Sequence, residues 1–142
     1  MTQEDKTLLL KELSARLPYG VRYRHFAWDD ERGEECISAK IYSISPDGYV
    51  RNYHDDESDY IDNVRPYLFP LSSMAEEQKK YITDRWGINE EFDFEINPDW
   101  GEYSIELGDI ADFIDWLNEN HFDYKGLIEK GLAIDATGLN IY

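Results

Sequence analysis

The residues with the clearest potential for chemistry are one cysteine and three histidines. A nucleophile built on Cys36 needs a histidine base and a third group that orients this base. Cys36 begins a predicted strand, however, where free cysteines are usually buried. His25, His54 and His121 fall in three different predicted elements and have no metal-ligand spacing. We therefore expect Cys36 to be structural and His121 to lie at a helix end, where the helix dipole favours an imidazolium.

A short acidic segment after His54 suggests a second kind of chemistry. The segment contains five carboxylates, Asp55, Asp56, Glu57, Asp59 and Asp62. A histidine beside carboxylates is typical of a general base, and the spacing is similar to that of a calcium loop. However, Tyr60 occupies the position that requires glycine, and Pro66 the position that requires a bidentate glutamate. The segment is therefore predicted to be a solvated polar loop, and no metal or cofactor is assigned to it.

Local catalytic signatures do not occur in the sequence. There is no GxSxG nucleophile elbow, no phosphate-binding Walker loop, no GxGxxG after a strand and no HExxH. This excludes the enzyme classes that depend on these local motifs, but it leaves open sites that are assembled from distant residues.

Charge is the most unusual property of the chain. Lys and Arg number 14 and Asp and Glu number 31, which gives a formal net charge of −17. Residues 1–53 carry −1 of this charge and residues 54–142 carry −16. Between Trp86 and Tyr124 there are 12 acidic residues and no Lys or Arg. Such a protein is expected to repel nucleic acids and anionic membranes and to favour a basic protein partner.

Six carboxylates in this stretch are the candidate binding residues. They are Glu91, Asp93 and Glu95 on one face of a predicted strand, and Asp112, Asp115 and Glu119 on one face of a predicted helix. An acidic face of this kind docks a basic partner, imitates the phosphates of DNA, or only keeps the surface solvated. The sequence does not decide between these three roles.

The first half of the chain is predicted to form a helix and an antiparallel meander. Thr2 and Asp5 have capping-box spacing, and leucines at helical spacing predict an amphipathic helix over 3–16. Strands are predicted over 21–28, 36–44 and 49–53. Because neither face of the first strand is cleanly apolar, we expect both faces to be partly covered.

The second half is predicted to add helices and a second hairpin. The predicted elements are an extended connection over 64–71, a helix from a Ser73 capping box to Trp86, a hairpin of strands 91–96 and 102–107, a helix capped by Asp109, and a short helix over 124–130. Together these elements predict a single α+β domain over 1–142, with an antiparallel sheet and three to four helices.

Composition limits the class of protein further. The 142 residues are 42% hydrophobic and 15% aromatic, which is enough apolar area for one domain and argues against disorder. No apolar run approaches the roughly 20 residues that cross a bilayer, and the N-terminus lacks the basic start of a signal peptide. The single cysteine excludes an internal disulfide, so a cytoplasmic location is predicted.

Two segments resemble a known group of proteins. The first consists of VRPYL at residues 64–68, Pro70 and SSM at residues 72–74. The second consists of WLN at residues 116–118, HFDY at residues 121–124 and GLI at residues 126–128. Their order and spacing resemble a family of short uncharacterised proteins carried by gut anaerobic bacteria and by their prophages or other mobile elements. The resemblance implies a bacterial cytoplasmic setting and a role in mobile-element biology. It implies no activity, cofactor or catalytic residue.

Three functional hypotheses follow. The first is a non-enzymatic interaction module of a mobile element that docks a basic protein through its acidic half and contacts neither nucleic acid nor membrane. The second is a small hydrolase or metal-dependent enzyme that uses carboxylates and His54. The third is a homo-oligomeric structural protein, in which Arg22 and Arg24 of one subunit meet the acidic half of another. No cofactor is expected in the first hypothesis.

Overall fold

A computed structural model of the chain describes residues 1–88 and 107–142. The described residues form three α-helices and two small β-sheets, which confirms the predicted α+β class. The predicted strand over 91–96 lies outside the described residues, together with Glu91, Asp93 and Glu95 and nearly all of the predicted return strand over 102–107. Among the described helices, none is both long and apolar enough to cross a membrane.

The first helix, α1, runs over Gln3–Arg16, as predicted. Its N-terminus is closed by a capping box in which the Thr2 hydroxyl accepts the Asp5 amide proton and the Asp5 carboxylate accepts that of Thr2. Leu9 and Leu13 are fully buried against the inner face of the sheet that follows. This face of α1 therefore anchors the first hydrophobic core.

The second element is a four-stranded antiparallel sheet whose strands lie in chain order. The strands are β1 (Arg22–Asp29), β2 (Gly33–Ile44), β3 (Tyr49–Asn52) and β4 (Ser58–Tyr60). The predicted three-strand meander is confirmed, but the predicted polar loop ends in the fourth strand. This segment pairs with β3, with Tyr60 opposite Tyr49, because the following Ile61 is buried in the core and holds the segment against the sheet.

The two faces of β1 differ in exposure. Tyr23, His25 and Ala27 point inward and are at most 6% exposed, whereas Phe26 and Trp28 point outward and are 47% and 68% exposed. The expectation of partial cover therefore holds for the outer face, where Arg22 and Arg24 are half-buried, but it is wrong for the inner face, which is fully covered. Residues of α1 and of the chain beyond β4 cover the inner face, and the outer face stays open at its aromatic positions.

A second sheet contains three short parallel strands. Its central strand is β5 (Tyr67–Pro70), which lies between β6 (Phe122–Asp123) and β7 (Ile134–Asp135). The extended connection predicted over 64–71 is thus the centre of a sheet. Its prolines are tolerated because one precedes β5 and the other ends it. Leu68 between them is fully buried.

The second helix, α2 (Glu76–Trp86), begins later than predicted. The Ser73 hydroxyl does not cap it but donates to the Pro70 carbonyl inside a 3₁₀ turn. The residue before the helix is Ala75, whose N–H donates to a side-chain amide oxygen in the first turn. The predicted end is confirmed, because Gly87 adopts a left-handed φ of 69° that stops the helix.

The third helix, α3, runs over Leu107–Glu119, so Asp109 lies inside its first turn rather than at the cap. The short helix predicted over 124–130 is absent, and turns take its place among these described residues. The Asp123 carboxylate accepts two backbone amide protons from this segment, each at 2.9 Å. Together with the left-handed φ of 73° at Gly126, these bonds favour a turn over a helix.

Two hydrophobic clusters hold the elements together. The first joins α1, the inner face of the antiparallel sheet and β5, with Leu9, Leu13, Tyr23 and Leu68 at its centre. The second joins α2, α3 and β6, through Ile82, Phe113, Leu117 and Phe122. Because the first cluster covers only the inner face of the antiparallel sheet, the outer face of the same sheet stays open to solvent at its aromatic positions.

Candidate functional site

A buried histidine on β1 is held between two aspartates. His25 is 1% exposed, its Nδ1 lies 2.6 Å from Asp59 Oδ2, and its Nε2 lies 2.8 Å from Asp55 Oδ2. The pairing of β3 with β4 brings Asp59 to this position, and the loop between these strands brings Asp55. In the imidazolium form both ring nitrogens donate, so the histidine clamps the loop and β4 onto β1.

Two further side chains complete this histidine cluster, which consists of Tyr23, His25, Asn52, Asp55 and Asp59. The Tyr23 hydroxyl donates to Asp59 Oδ2 at 2.6 Å and accepts from Asn52 Nδ2 at 2.9 Å. The side-chain oxygen Asn52 Oδ1 accepts the backbone amide protons of His54 and Asp55. Each polar group therefore fixes the next, and the loop conformation follows from these bonds.

The electrostatics of the cluster favour charged groups. Burial disfavours the imidazolium of His25, but hydrogen bonds and charges from Asp55 and Asp59 outweigh burial, and its pKa is raised above 6.5. Burial opposes ionisation of Asp55 in the same way, yet its hydrogen bond to His25 and the other bonds that it accepts lower its pKa. A lowered pKa is the opposite of what a carboxylic acid needs in order to donate a proton near neutral pH.

His54 does not belong to this cluster. Its side chain is exposed, and it lies at an open pocket of about 550 Å³ lined by Tyr42, Arg51, Asn52, Tyr53, His54, Asp55 and Asp56. The prediction placed a carboxylate site around His54, whereas the described structure centres it on His25. Sequence reasoning missed His25 because its partners reach it only through strand pairing. The one available signal is that His25 alternates with Tyr23 on the inner face of a predicted strand.

The outer face of the antiparallel sheet carries exposed aromatic and cationic side chains. Phe26 and Trp28 are joined by Tyr42 and Tyr53, which are 55% and 65% exposed. Their rings partly pair, with Tyr42 and Tyr53 edge to face at 5.1 Å between centroids. We call this surface the aromatic face and define it by Arg24, Phe26, Trp28, Lys40, Tyr42, Arg51 and Tyr53.

Cations lie directly over the rings of the aromatic face. The Arg24 guanidinium sits 5.5 Å from the Phe26 ring centre, and the Lys40 ammonium 5.4 Å from that of Tyr53. Cys36 lies opposite Phe26 and is exposed, so the expectation of a buried cysteine is wrong. The reason is register, since Cys36 occupies an outward position of β2.

The acidic candidate residues are only partly described. Asp112, Asp115 and Glu119 are all exposed on α3, as their helical spacing predicts. Within residues 1–88 and 107–142, no cation lies within ion-pair distance of these three carboxylates. Arg22 and Arg24, the two arginines of the homo-oligomer hypothesis, likewise form no ion pair with a carboxylate of the described residues. Arg22 instead donates to the Ser38 hydroxyl at 2.8 Å.

His121 lies directly after α3, as predicted, but it is not the expected imidazolium. Its φ is 62°, and its ring stacks on that of Tyr142 with 3.5 Å between centroids. Burial and the nearby charge of Arg16 lower the pKa of His121 to about 4. These two effects outweigh the attraction of a helix C-terminus for a cation.

This lowered pKa predicts a pH dependence of stability. Because the folded pKa of about 4 lies below the ordinary histidine value of 6.5, the neutral His121 stabilises the fold above pH 6.5, and this contribution is lost as the pH falls towards 4. We expect His121→Asn to reduce the loss of unfolding free energy between pH 6.5 and pH 4 by about 1–2 kcal/mol. Asparagine is chosen because it tolerates a left-handed φ. Urea denaturation at several pH values measures this. Parallel curves for both proteins would contradict the assignment.

The described residues thus offer two candidate sites. One is the histidine cluster, a charged network at the base of a loop, and the other is the aromatic face, an open surface of rings and cations. In three comparisons, no protein-family model, no curated protein and no solved structure matched this chain.

Proposed function

We propose that this chain is a non-enzymatic protein-interaction module that docks a partner on its aromatic face. The observation that carries the proposal is the exposure of Trp28 and Tyr53, at 68% and 65%, on a surface that also presents arginines. Trp, Tyr and Arg are the residue types that dominate the binding energy of protein interfaces.

The charge of the aromatic face favours a partner segment that carries carboxylates. Arg24, Lys40 and Arg51 lie beside the rings of Phe26, Tyr42 and Tyr53, although the chain as a whole has a net charge of −17. At the Trp28 end carboxylates adjoin the rings, with Glu34 opposite Trp28 and Asp30 accepting its indole N–H. A nucleic acid carries one charge per phosphate and is repelled by the rest of this protein. A peptide segment with a few carboxylates among apolar side chains meets the cations locally and suffers far less of this repulsion.

The acidic stripe on α3, made of Asp112, Asp115 and Glu119, supports a second contact with a basic region of a partner. This is the role expected for the acidic half of the chain, and it stays a proposal here. The resemblance to proteins of mobile elements supports the proposal that such a module acts in the bacterial cytoplasm, with a phage or host protein as its partner. A DNA-mimicking role for the stripe is the alternative to basic-protein docking.

The geometry supports an enzyme less well. A hydrolase that uses His54 needs an orienting carboxylate and a proton donor, but the carboxylate Asp55 is bound to His25 and has a lowered pKa. The exposed pocket beside His54 is open on the same side as the aromatic face. It therefore suits a docked side chain of the partner.

The proposal is tested by removing the two rings of the aromatic face that are most exposed. We expect Trp28→Ser with Tyr53→Ser to weaken partner binding by at least about tenfold, and to leave the free energy of unfolding nearly unchanged because both rings are exposed. The partner is first captured from bacterial lysate with the native chain. It is then purified, and its affinity for each variant is measured by calorimetry. Leu139→Ser, which removes an exposed apolar side chain elsewhere, is the matched control.

Three further measurements separate the alternatives. Charge reversal of Asp112, Asp115 and Glu119 to Lys weakens binding at low salt if the stripe docks a basic region. Light scattering of the native chain reports self-association, which would make a second copy the occupant. Tight binding of a single-stranded oligonucleotide to the aromatic face, or a purified partner that binds the double variant as well as the native chain, would overturn the proposal.

A further inference from the structure

We propose that His25, Asp55 and Glu57 form a binding site for one divalent first-row transition-metal ion of the zinc class. One ligand atom from each residue can be chosen so that all of them lie within 4.8 Å of one another. Ligands that share a zinc ion at about 2.0–2.2 Å lie roughly 3–4 Å apart. The three side chains thus already stand near coordination distance, and this site is independent of the proposed docking function.

Asp59 gives His25 the orientation of a metal ligand. Histidines that bind metals almost always donate their second ring nitrogen to a carboxylate, which fixes the tautomer and the ring plane. Here His25 Nδ1 lies 2.6 Å from Asp59 Oδ2, and Asp59 is itself held by the Tyr23 hydroxyl at 2.6 Å. Nε2, the nitrogen that faces Asp55, is therefore the one left to bind the ion, so Asp59 is a positioning residue.

Binding requires only a small change in the cluster. Nε2 and Asp55 Oδ2 are 2.8 Å apart and joined by a hydrogen bond, and the ion replaces the proton between them, which leaves to solvent. The second oxygen, Asp55 Oδ1, keeps its bonds to the Glu57 amide at 3.1 Å and to Asn52 Nδ2 at 3.3 Å. The loop that carries both carboxylates is thus held in place while the ion enters.

The donor set selects the class of ion. One imidazole nitrogen with two carboxylates suits zinc, cobalt or nickel, whereas calcium and magnesium prefer all-oxygen sites with six or more ligands. Glu57 is exposed, which gives the ion a path from solvent and leaves positions for water. His25 on the other side is buried, so the site is fixed on one side and open on the other.

The test is titration of the untagged, metal-free full chain with ZnCl₂ by calorimetry. We expect one ion per chain with a dissociation constant of about 10 µM or tighter, and no heat with millimolar MgCl₂. Glu57→Gln removes one ligand at an exposed position, so it leaves the fold intact, and it is expected to weaken zinc binding at least about tenfold. Asp56→Asn is the matched control, because it neutralises the neighbouring exposed carboxylate, and it is expected to stay within about twofold.

A second readout locates the ion. The ring resonances of His25 in two-dimensional NMR are expected to shift on addition of zinc, and those of His54 are expected to stay in place. His54→Gln is a further control, since exposed histidines also bind zinc. The proposal is overturned if zinc does not bind, if Asp56→Asn or His54→Gln weakens binding as much as Glu57→Gln, or if the His25 resonances do not move.

Discussion

Replacement of Arg16 by Met is expected to lower the free energy of unfolding by about 3–5 kcal/mol, which is the range for one partner lost from a buried ion pair. Arg16 is fully buried, its Nη1 lies 2.7 Å from Glu12 Oε2, and Glu12 itself is 6% exposed. The other terminal nitrogen donates to the Phe122 carbonyl, and the guanidinium lies 5.0 Å from the Tyr124 ring centre. Methionine fills a similar volume but leaves the Glu12 carboxylate buried without its cation.

The effect reaches beyond α1 because Arg16 joins the two halves of the fold. Its ion-pair partner lies on the same helix, whereas its hydrogen bond to Phe122 reaches β6 beside the second core cluster. We therefore expect hydrogen exchange to accelerate in β6 as well as in α1 in Arg16→Met.

Urea denaturation of Arg16→Met and of the double variant Glu12→Leu/Arg16→Met measures this prediction. The double variant removes both charges, so it is expected to recover much of the lost stability. Arg32→Met, at an exposed position of the hairpin turn, is the control and is expected to change the free energy of unfolding by less than about 0.5 kcal/mol. A loss below about 1 kcal/mol for Arg16→Met would show that the pair contributes little.

Local sequence patterns were sufficient to predict elements whose boundaries depend on neighbouring residues. The capping box at Thr2 defines the start of α1, and Gly87 defines the end of α2, because both act through backbone bonds within one or two turns. The meander follows from alternation and a Pro-Asp-Gly turn. Local patterns were therefore enough for these elements.

Elements that depend on distant partners could not be predicted in this way. The strand β5 pairs with residues more than 50 positions away in β6 and β7, and no local pattern indicates that pairing. The segment after Asp123 has good helical composition, but the Asp123 side chain accepts the amide protons of Leu127 and Ile128. The position of the Asp123 carboxylate in the fold thus favours a turn over the predicted helix.

The candidate sites show the same division. The exposure of Asp112, Asp115 and Glu119 follows from helical spacing alone, and it was predicted. The histidine cluster needs the register of three strands and a loop, so the sequence indicated the acidic loop but assigned it to His54 instead of His25. The aromatic face was hidden for a related reason, since alternation in β1 shows two mixed faces and only packing decides which one is covered.

The second large effect is expected at Asp59, whose loss should destabilise the fold by about 2–4 kcal/mol. In Asp59→Ala, the His25 Nδ1 proton and the Tyr23 hydroxyl lose the oxygen that both contact at 2.6 Å, in a cluster where His25 is 1% exposed. The loss is smaller than at Arg16 because the Asp59 side chain is 27% exposed.

Denaturation in urea measures the total loss of stability in Asp59→Ala. Hydrogen exchange is expected to accelerate first in β4, which Asp59 links to His25 on β1. Asp56→Ala, at an exposed carboxylate three residues earlier, is expected to change neither. Equal stability of the Asp59 and Asp56 variants would mean that the clamp around His25 contributes nothing to folding.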